Sequence, residues 1–124
     1  MIGGEMESMS ASDCIFCRIA AKKMEVQLLH EDDHAVAFMD NNPQAPKHFL
    51  VIPKRHVATL TEIGEADEIL LGHLLVVAKR LAEKEKLVNN GYRVVLNTGP
   101  NAGQTVFHLH LHVLGGRSFS WPPG

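Results

Sequence analysis

The stretch Val106-Phe107-His108-Leu109-His110-Leu111-His112-Val113-Leu114 decides the reading of this chain. From Phe107 to Val113, apolar residues and histidines take turns, the period of two that marks a strand with one face on a core. Side chains change faces at each step, so His108, His110 and His112 share one side and Phe107, Leu109, Leu111 and Val113 the other. At about 3.3 Å per residue the outer two histidine Cα atoms of a regular strand stand roughly 13 Å apart, so neighbouring rings cooperate in pairs unless the strand bends. A solvated face that happens to be histidine, or a chance metal patch, is the plain alternative. Histidine is an unusual choice for a wet face, because its ring serves as nucleophile, proton donor or acceptor near neutral pH, or metal ligand.

Working outward, Thr98 to Thr105 is an eight-residue link to the preceding strand, Tyr92 to Asn97, where hairpins usually need two to five residues. Gly99 and Gly103 let backbone N–H groups turn inward and Gln104-Thr105 add donors, which suits a phosphate where no arginine or lysine is at hand. A loose hairpin with glycines for turn geometry is the alternative. Before it, Glu65 to Val88 carries Leu70, Leu74, Val77, Leu81 and Val88 on a helical stripe, with acids in the first turn, Lys84 and Lys86 near the end, and Asn89-Asn90-Gly91 as the stop.

Val26 to His30 and Ala35 to Met39 read as strands about the polar turn Glu31-Asp32-Asp33, and Phe49 to Ile52 as a third strand stopped by Pro53. Asp40 to Pro46 holds two prolines and must be a shaped loop, in which Asp40 either forms an Asx turn or accepts ribose hydroxyls. Asp13 is the expected cap of a short amphipathic helix through Lys23, with Ile15, Phe16, Ile19 and Ala20 apolar. Residues 1–12 have no apolar period and read as a disordered tail, leaving 13–124 as one domain. The expected fold class is α+β, an antiparallel sheet of about five strands with one long and one short helix.

The bulk numbers bound the function. At 124 residues with 45% hydrophobic content, one core is the expectation, and a net charge of -2 advertises no nucleic-acid partner. No apolar run reaches membrane-spanning length and Met1 to Asp13 lacks a basic-then-apolar signal, so no membrane partner and a cytoplasmic location are expected. Cys14 and Cys17 are the only cysteines and stand too close for a useful staple; thiols, or a weak metal signal, fit better.

His108-Leu109-His110-Leu111-His112-Val113-Leu114 resembles the pattern of the histidine triad (HIT) family, His-φ-His-φ-His-φ-φ with φ apolar. Asp40 with Pro43-Gln44-Ala45-Pro46, His48-Phe49-Leu50-Val51-Ile52-Pro53-Lys54, Gly72-His73-Leu74, Gly91-Tyr92-Arg93, Gly103-Gln104 and Trp121-Pro122-Pro123-Gly124 are similar to its nucleotide-binding branch, in order, from about Asp13 to the end. The resemblance implies a HIT-like fold whose sheet continues across a homodimer, and a purine nucleoside phosphoramidase that acts on adenosine phosphoramidates and aminoacyl adenylates to give AMP. It makes His110 the nucleophile that carries a nucleotidyl intermediate, His108 its backbone orienter, and His112 a phosphate and proton partner with His48 beside it.

The same resemblance assigns Asp40 to the ribose, with Asn41 next to it where relatives usually have an apolar residue, and Asn97, Gly103, Gln104 and Thr105 to the α-phosphate. Phe16, Ile19, Met24, Phe38 and Leu50 match base-pocket positions, although each is more often plain core. Met24-Glu25-Val26 departs from the usual Ile-Pro pair, which suggests a looser entry to the first strand. No cofactor is implied for catalysis. Some members bind structural zinc through the cysteine pair, here Cys14 and Cys17, with His56 and His108. His30, His34 and His73 are read as surface or helix residues without a role. Trp121, the only tryptophan, lies in a tail that in the resembled branch reaches the partner subunit's site. Two other readings stay open: a zinc-dependent hydrolase with the histidine strand as its metal site, and a non-enzymatic nucleotide-binding adaptor.

Overall fold

The computed structural model describes residues 13–124; the tail expected over 1–12 lies outside them. Helix α1 (Ile15–Ala20) leads into β1 (Leu28–Glu31), β2 (Ala35–Met39) and β3 (Lys47–Pro53), followed by the long helix α2 (Glu68–Lys84), β4 (Tyr92–Val95) and β5 (Leu111–Gly115). The five strands form one sheet in the order β1-β2-β3-β5-β4, and every neighbouring pair is antiparallel.

Both faces of the sheet are covered, which explains why β2 and β3 are apolar on every residue through their middles. One face carries Ala35, Ala37, Phe49, Val51, Leu111 and Val113 against Leu74, Val77, Ala78 and Leu81 of α2. The other carries Val36, Phe38, Leu50 and Ile52 against Phe16, Cys17, Ile19 and Ala20 of α1. The register pairs Leu50 with His112 and Val51 with Leu111, so the histidines of β5 fall on the α1 side and the leucines on the α2 side.

The histidine segment departs from a regular strand. Hydrogen-bonded pairing begins only at Leu111, and residues 106–108 bend. Continuing the β3–β5 register would set Leu109 opposite Pro53, which has no N–H to give, and the Leu109 N–H donates to the Val57 carbonyl instead, at 2.7 Å. The facing survives the bend: Leu109 and Leu111 are each 1% exposed in the α2 core. Phe107 is the exception, half-buried and not part of that cluster.

Helix limits also differ from the periodicity. α2 proper starts at Glu68, behind a 3-10 turn at Glu65–Asp67 that is closed by the Gly64 N–H donating to the Asp67 carboxylate. It ends at Lys84 because Lys86 takes φ +62°, so Val88 lies beyond the helix and Gly91 (φ +98°) serves the turn into β4. α1 is capped by the Cys14 thiol, which accepts from the Cys17 N–H, and stops before Lys22 at φ +60°. Among the described residues, no helix is long and apolar enough to cross a membrane.

Leu109→Ala empties a site inside the main core and is expected to lower unfolding free energy by about 2–5 kcal/mol in urea titration. Phe107→Ala should cost less, whereas a regular strand from Val106 would make the two comparable.

Candidate functional site

The α1-side face of the sheet opens into a cleft of about 480 Å³, within the range of small-ligand sites. Phe16, Ile19, Met24, Val26, Phe38 and Leu50 make its apolar wall, and Asp40, His48, Thr105, His110 and His112 line its polar end together with Asn41 and Gln44. No lysine or arginine is among these lining residues. Asn97, Gly103 and Gln104 are not among them either.

Two hydrogen-bond chains fix which ring nitrogen carries a proton. His110 Nδ1 lies 2.7 Å from the His108 carbonyl oxygen, so Nδ1–H donates and Nε2 keeps a bare lone pair. In the second chain, the Gln44 backbone N–H donates to His48 Nδ1 at 3.0 Å, which puts the His48 proton on Nε2. That Nε2 stands 2.9 Å from His112 Nδ1 and donates to it, leaving neutral His112 with its proton on Nε2. The two neighbouring rings are therefore set oppositely, one with a free lone pair and one with a free N–H.

Burial reinforces the neutral state. It lowers His48 and His110 below the usual imidazole value, and pushes His112 down to about 4 with help from the neighbouring His110 and His48. Phe16 meets the His110 ring edge-on, centroids 5.1 Å apart, and helps to exclude water from one side. Asp40 divides its carboxylate: Oδ1 accepts the Asn42 N–H in an Asx turn, and Oδ2 lies 3.3 Å from His48 Nε2 and 3.9 Å from His112 Nδ1.

The Thr98–Thr105 link is more self-occupied than its composition suggests. Gln104 is buried, its Oε1 accepting from the Gly99 N–H and its Nε2 donating to the carbonyls of Ala58 and Val106. The Gln104 and Gly103 N–H groups donate to Gly99 and Pro100 carbonyls. Both residues therefore shape the loop, and these internal bonds engage the donors that the sequence offered to a phosphate. Thr105 is exposed at the cleft, and Asn97 follows β4 outside the lining.

Behind the cleft, Cys14, Cys17, His56 and His108 each bring one ligand atom within 4.8 Å of the others. Cys14 and Cys17 Sγ lie 3.3 and 3.4 Å from His108 Nδ1, and His56 Nδ1 lies 3.2 Å from Cys17 Sγ. Two sulfurs and two imidazole nitrogens are a donor set suited to tetrahedral zinc. His108 Nε2–H donates to the Pro53 carbonyl at 2.8 Å, the outer contact that orients a ligating ring with its other nitrogen bare. Burial, with Cys14 alongside, pushes the Cys17 thiol up to about 12, a state that a bound cation would reverse.

Residues 21–119 match the model of the HIT domain family. An uncharacterized HIT-like protein of Synechococcus elongatus is 51% identical over 114 residues, which covers 92% of this chain and 99% of the relative. A HIT family hydrolase from Legionella pneumophila Philadelphia 1 superposes with a TM-score of 0.88 at 47% identity, covering 90% of this chain and 99% of that one. A histidine triad nucleotide-binding protein from Candida albicans superposes at 0.75 with 35% identity, covering 88% and 82%. The chain thus belongs to the HIT family, with the HIT-like fold and its five-stranded antiparallel sheet.

Sequence reasoning missed the Gln44 backbone and the Pro53 carbonyl as groups that orient rings. The run of apolar residues and prolines at positions 43–53 marked a shaped loop and a strand end, but backbone donors carry no sequence signal of their own.

A histidine buried as neutral imidazole links stability to pH. His112 titrates near 6.5 unfolded and about 4 folded, so the unfolded chain binds more protons between those values and stability falls as pH drops through that window. Urea midpoints measured from pH 7.5 to 4 should decline below about 6.5, and His112→Gln should flatten part of that decline.

Proposed function

We propose that this chain is a nucleoside phosphoramidase that releases AMP from adenosine 5′-phosphoramidates and aminoacyl adenylates through a nucleotidyl-His110 intermediate. The observation that carries the reading is the 2.7 Å contact of His110 Nδ1 with the His108 carbonyl, which leaves Nε2 bare at the cleft. The resemblance of the triad segment and the hydrolase among its structural relatives point the same way.

In the first step the Nε2 lone pair forms a bond to the α-phosphorus as the bond to the leaving group breaks: P–N in a phosphoramidate, whose amine takes a proton, and P–O in an aminoacyl adenylate, whose carboxylate leaves as the anion. His112 Nε2–H, set by the His48 relay, faces the phosphoryl oxygens as a hydrogen-bond donor beside the leaving group, and the transferred proton is drawn from solvent. Water then attacks phosphorus and sheds a proton to solvent, the N–P bond breaks, and AMP leaves with His110 restored to neutral imidazole. His112 Nε2–H and Thr105 meet the phosphate charge, Asp40 Oδ2 accepts from the ribose hydroxyls, and the wall from Phe16 to Leu50 holds the base.

Zinc held by Cys14, Cys17, His56 and His108 would be structural, tying α1 to the segment before β5. The protein acts as a homodimer in this reading. β4 ends the sheet with an open edge, and Ile69, Leu75 and Val76 expose 88%, 50% and 40% of their surface along α2. Trp121, 83% exposed in the tail, then reaches the partner's cleft. The site of action is the cytoplasm.

His110→Ala is expected to lower kcat on an adenosine phosphoramidate by at least about 10³-fold while AMP still binds. Chelation should leave kcat of the wild-type protein unchanged. Loss of turnover on chelation would favour a metal-dependent hydrolase, and no turnover by the wild type would favour the adaptor reading.

A further inference from the structure

A second histidine cluster lies on the opposite side of the sheet from the cleft, where the β1–β2 turn meets α2. His30 at the end of β1 and His73 in α2 both place Nε2 against one oxygen, Asp32 Oδ2, at 2.6 and 2.7 Å. The other oxygen, Oδ1, accepts the backbone N–H groups of His34 and Ala35 at 2.7 and 2.9 Å, so the carboxylate is locked in place by the turn that carries it. The His34 ring stands edge-on to His73 with centroids 6.3 Å apart, a further imidazole beside the set. We propose that His30, Asp32 and His73 form a binding site for a divalent transition-metal ion that clips the β1–β2 turn to the long helix.

The geometry separates this cluster from an ordinary surface ion pair. An ordinary surface ion pair sets one cation against a carboxylate, as Arg55 meets Asp67 in the turn before α2 at 2.7 Å. Here it is met by two imidazoles whose Nε2 atoms converge on the same oxygen from two different elements, and all three ligand atoms lie within 4.8 Å of one another. The side chains are 24%, 28% and 29% exposed, open enough for an ion to enter and for water to fill the remaining positions. Tetrahedral or octahedral ions with bonds of about 2.1 Å need donors roughly 3.0–3.4 Å apart, so the present N···O contacts open by less than about 1 Å on binding.

The donor chemistry selects the class of ion. Two imidazoles and one carboxylate suit zinc, nickel or copper(II), whereas calcium and magnesium ask for oxygen shells. Burial pushes the Asp32 carboxyl up, but the hydrogen bonds from His30, the His34 N–H, His73 and the Ala35 N–H outweigh it and hold the group well below the usual range. The ligand is therefore anionic across the neutral range. Each imidazole now donates Nε2–H to Asp32; on binding, that proton passes to Nδ1 through water and the Nε2 lone pair turns to the metal, with no net proton change for a neutral ring. His30 and His73 take no part in the chemistry at the cleft, so the site stands whether or not the phosphoramidase reading holds.

The full-length protein, first supplied with one equivalent of Zn²⁺ to satisfy the cysteine cluster, is titrated with Ni²⁺ by calorimetry. A further equivalent should bind, and His30→Gln or His73→Gln should weaken it by more than about 10-fold, the scale at which even outer contacts of a metal act. Paramagnetic Ni²⁺ should broaden amide signals around Asp32–Ala35 and Gly72–Leu74 in the wild type, a readout that needs no variant. Unchanged affinity in both variants would overturn the proposal. So would loss of the equivalent in His48→Gln with broadening about the cleft, since Asp40, His48 and His112 also gather three donors.

Discussion

Everything at the cleft depends on burying Leu109, Leu111 and Val113 against α2. These side chains are at most 1% exposed, and their burial forces the intervening imidazoles to the opposite face of the sheet. Slipping the segment by one residue would send histidines into an apolar core and leucines into the cleft, so packing on one face guards the chemistry on the other. α1 then closes over that second face, and its Phe16 and Cys17 meet the rings that the sheet presents.

The bend at residues 106–108 serves the same arrangement. Because Pro53 ends the ladder, the backbone around His108 is released from strand pairing, and its carbonyl becomes available to the His110 ring. The Pro53 carbonyl takes His108 Nε2–H in turn. One proline thus organises two histidines: it fixes His108 with its bare nitrogen toward the cysteines and frees the carbonyl that sets the tautomer of His110. On the other side, the Gln44 N–H starts a relay through His48 that sets His112 the opposite way. A neutral ring with a bare nitrogen beside a neutral ring with a free N–H is the outcome, and burial keeps both uncharged near pH 7.

Much of this was legible in the sequence. The alternation from His108 to Val113 gave the faces correctly, with Phe107 the exception, and the apolar runs located five strands and two helices, the last strand pairing only from Leu111. The limits of α2 were less legible, because Lys86 adopts a left-handed conformation that its side chain does not advertise while the more suggestive Gly91 lies further on. The place of Gln104 was hidden for a related reason: a polar side chain in a glycine-rich loop looks like a ligand donor, and only the fold brings its amide into three internal hydrogen bonds. The cluster of His30, Asp32 and His73 could not be read at all, since only folding brings a helix residue to a hairpin turn more than forty positions away.

The central claim is that hydrogen bonding presets opposite tautomers on adjacent triad histidines. Long-range proton–nitrogen NMR of the ring nitrogens at pH 7, in the protein without nucleotide, tests it most directly. The structure predicts neutral His110 protonated on Nδ1 and neutral His112 protonated on Nε2. A His110 ring protonated on Nε2, or carrying both protons, would contradict the account.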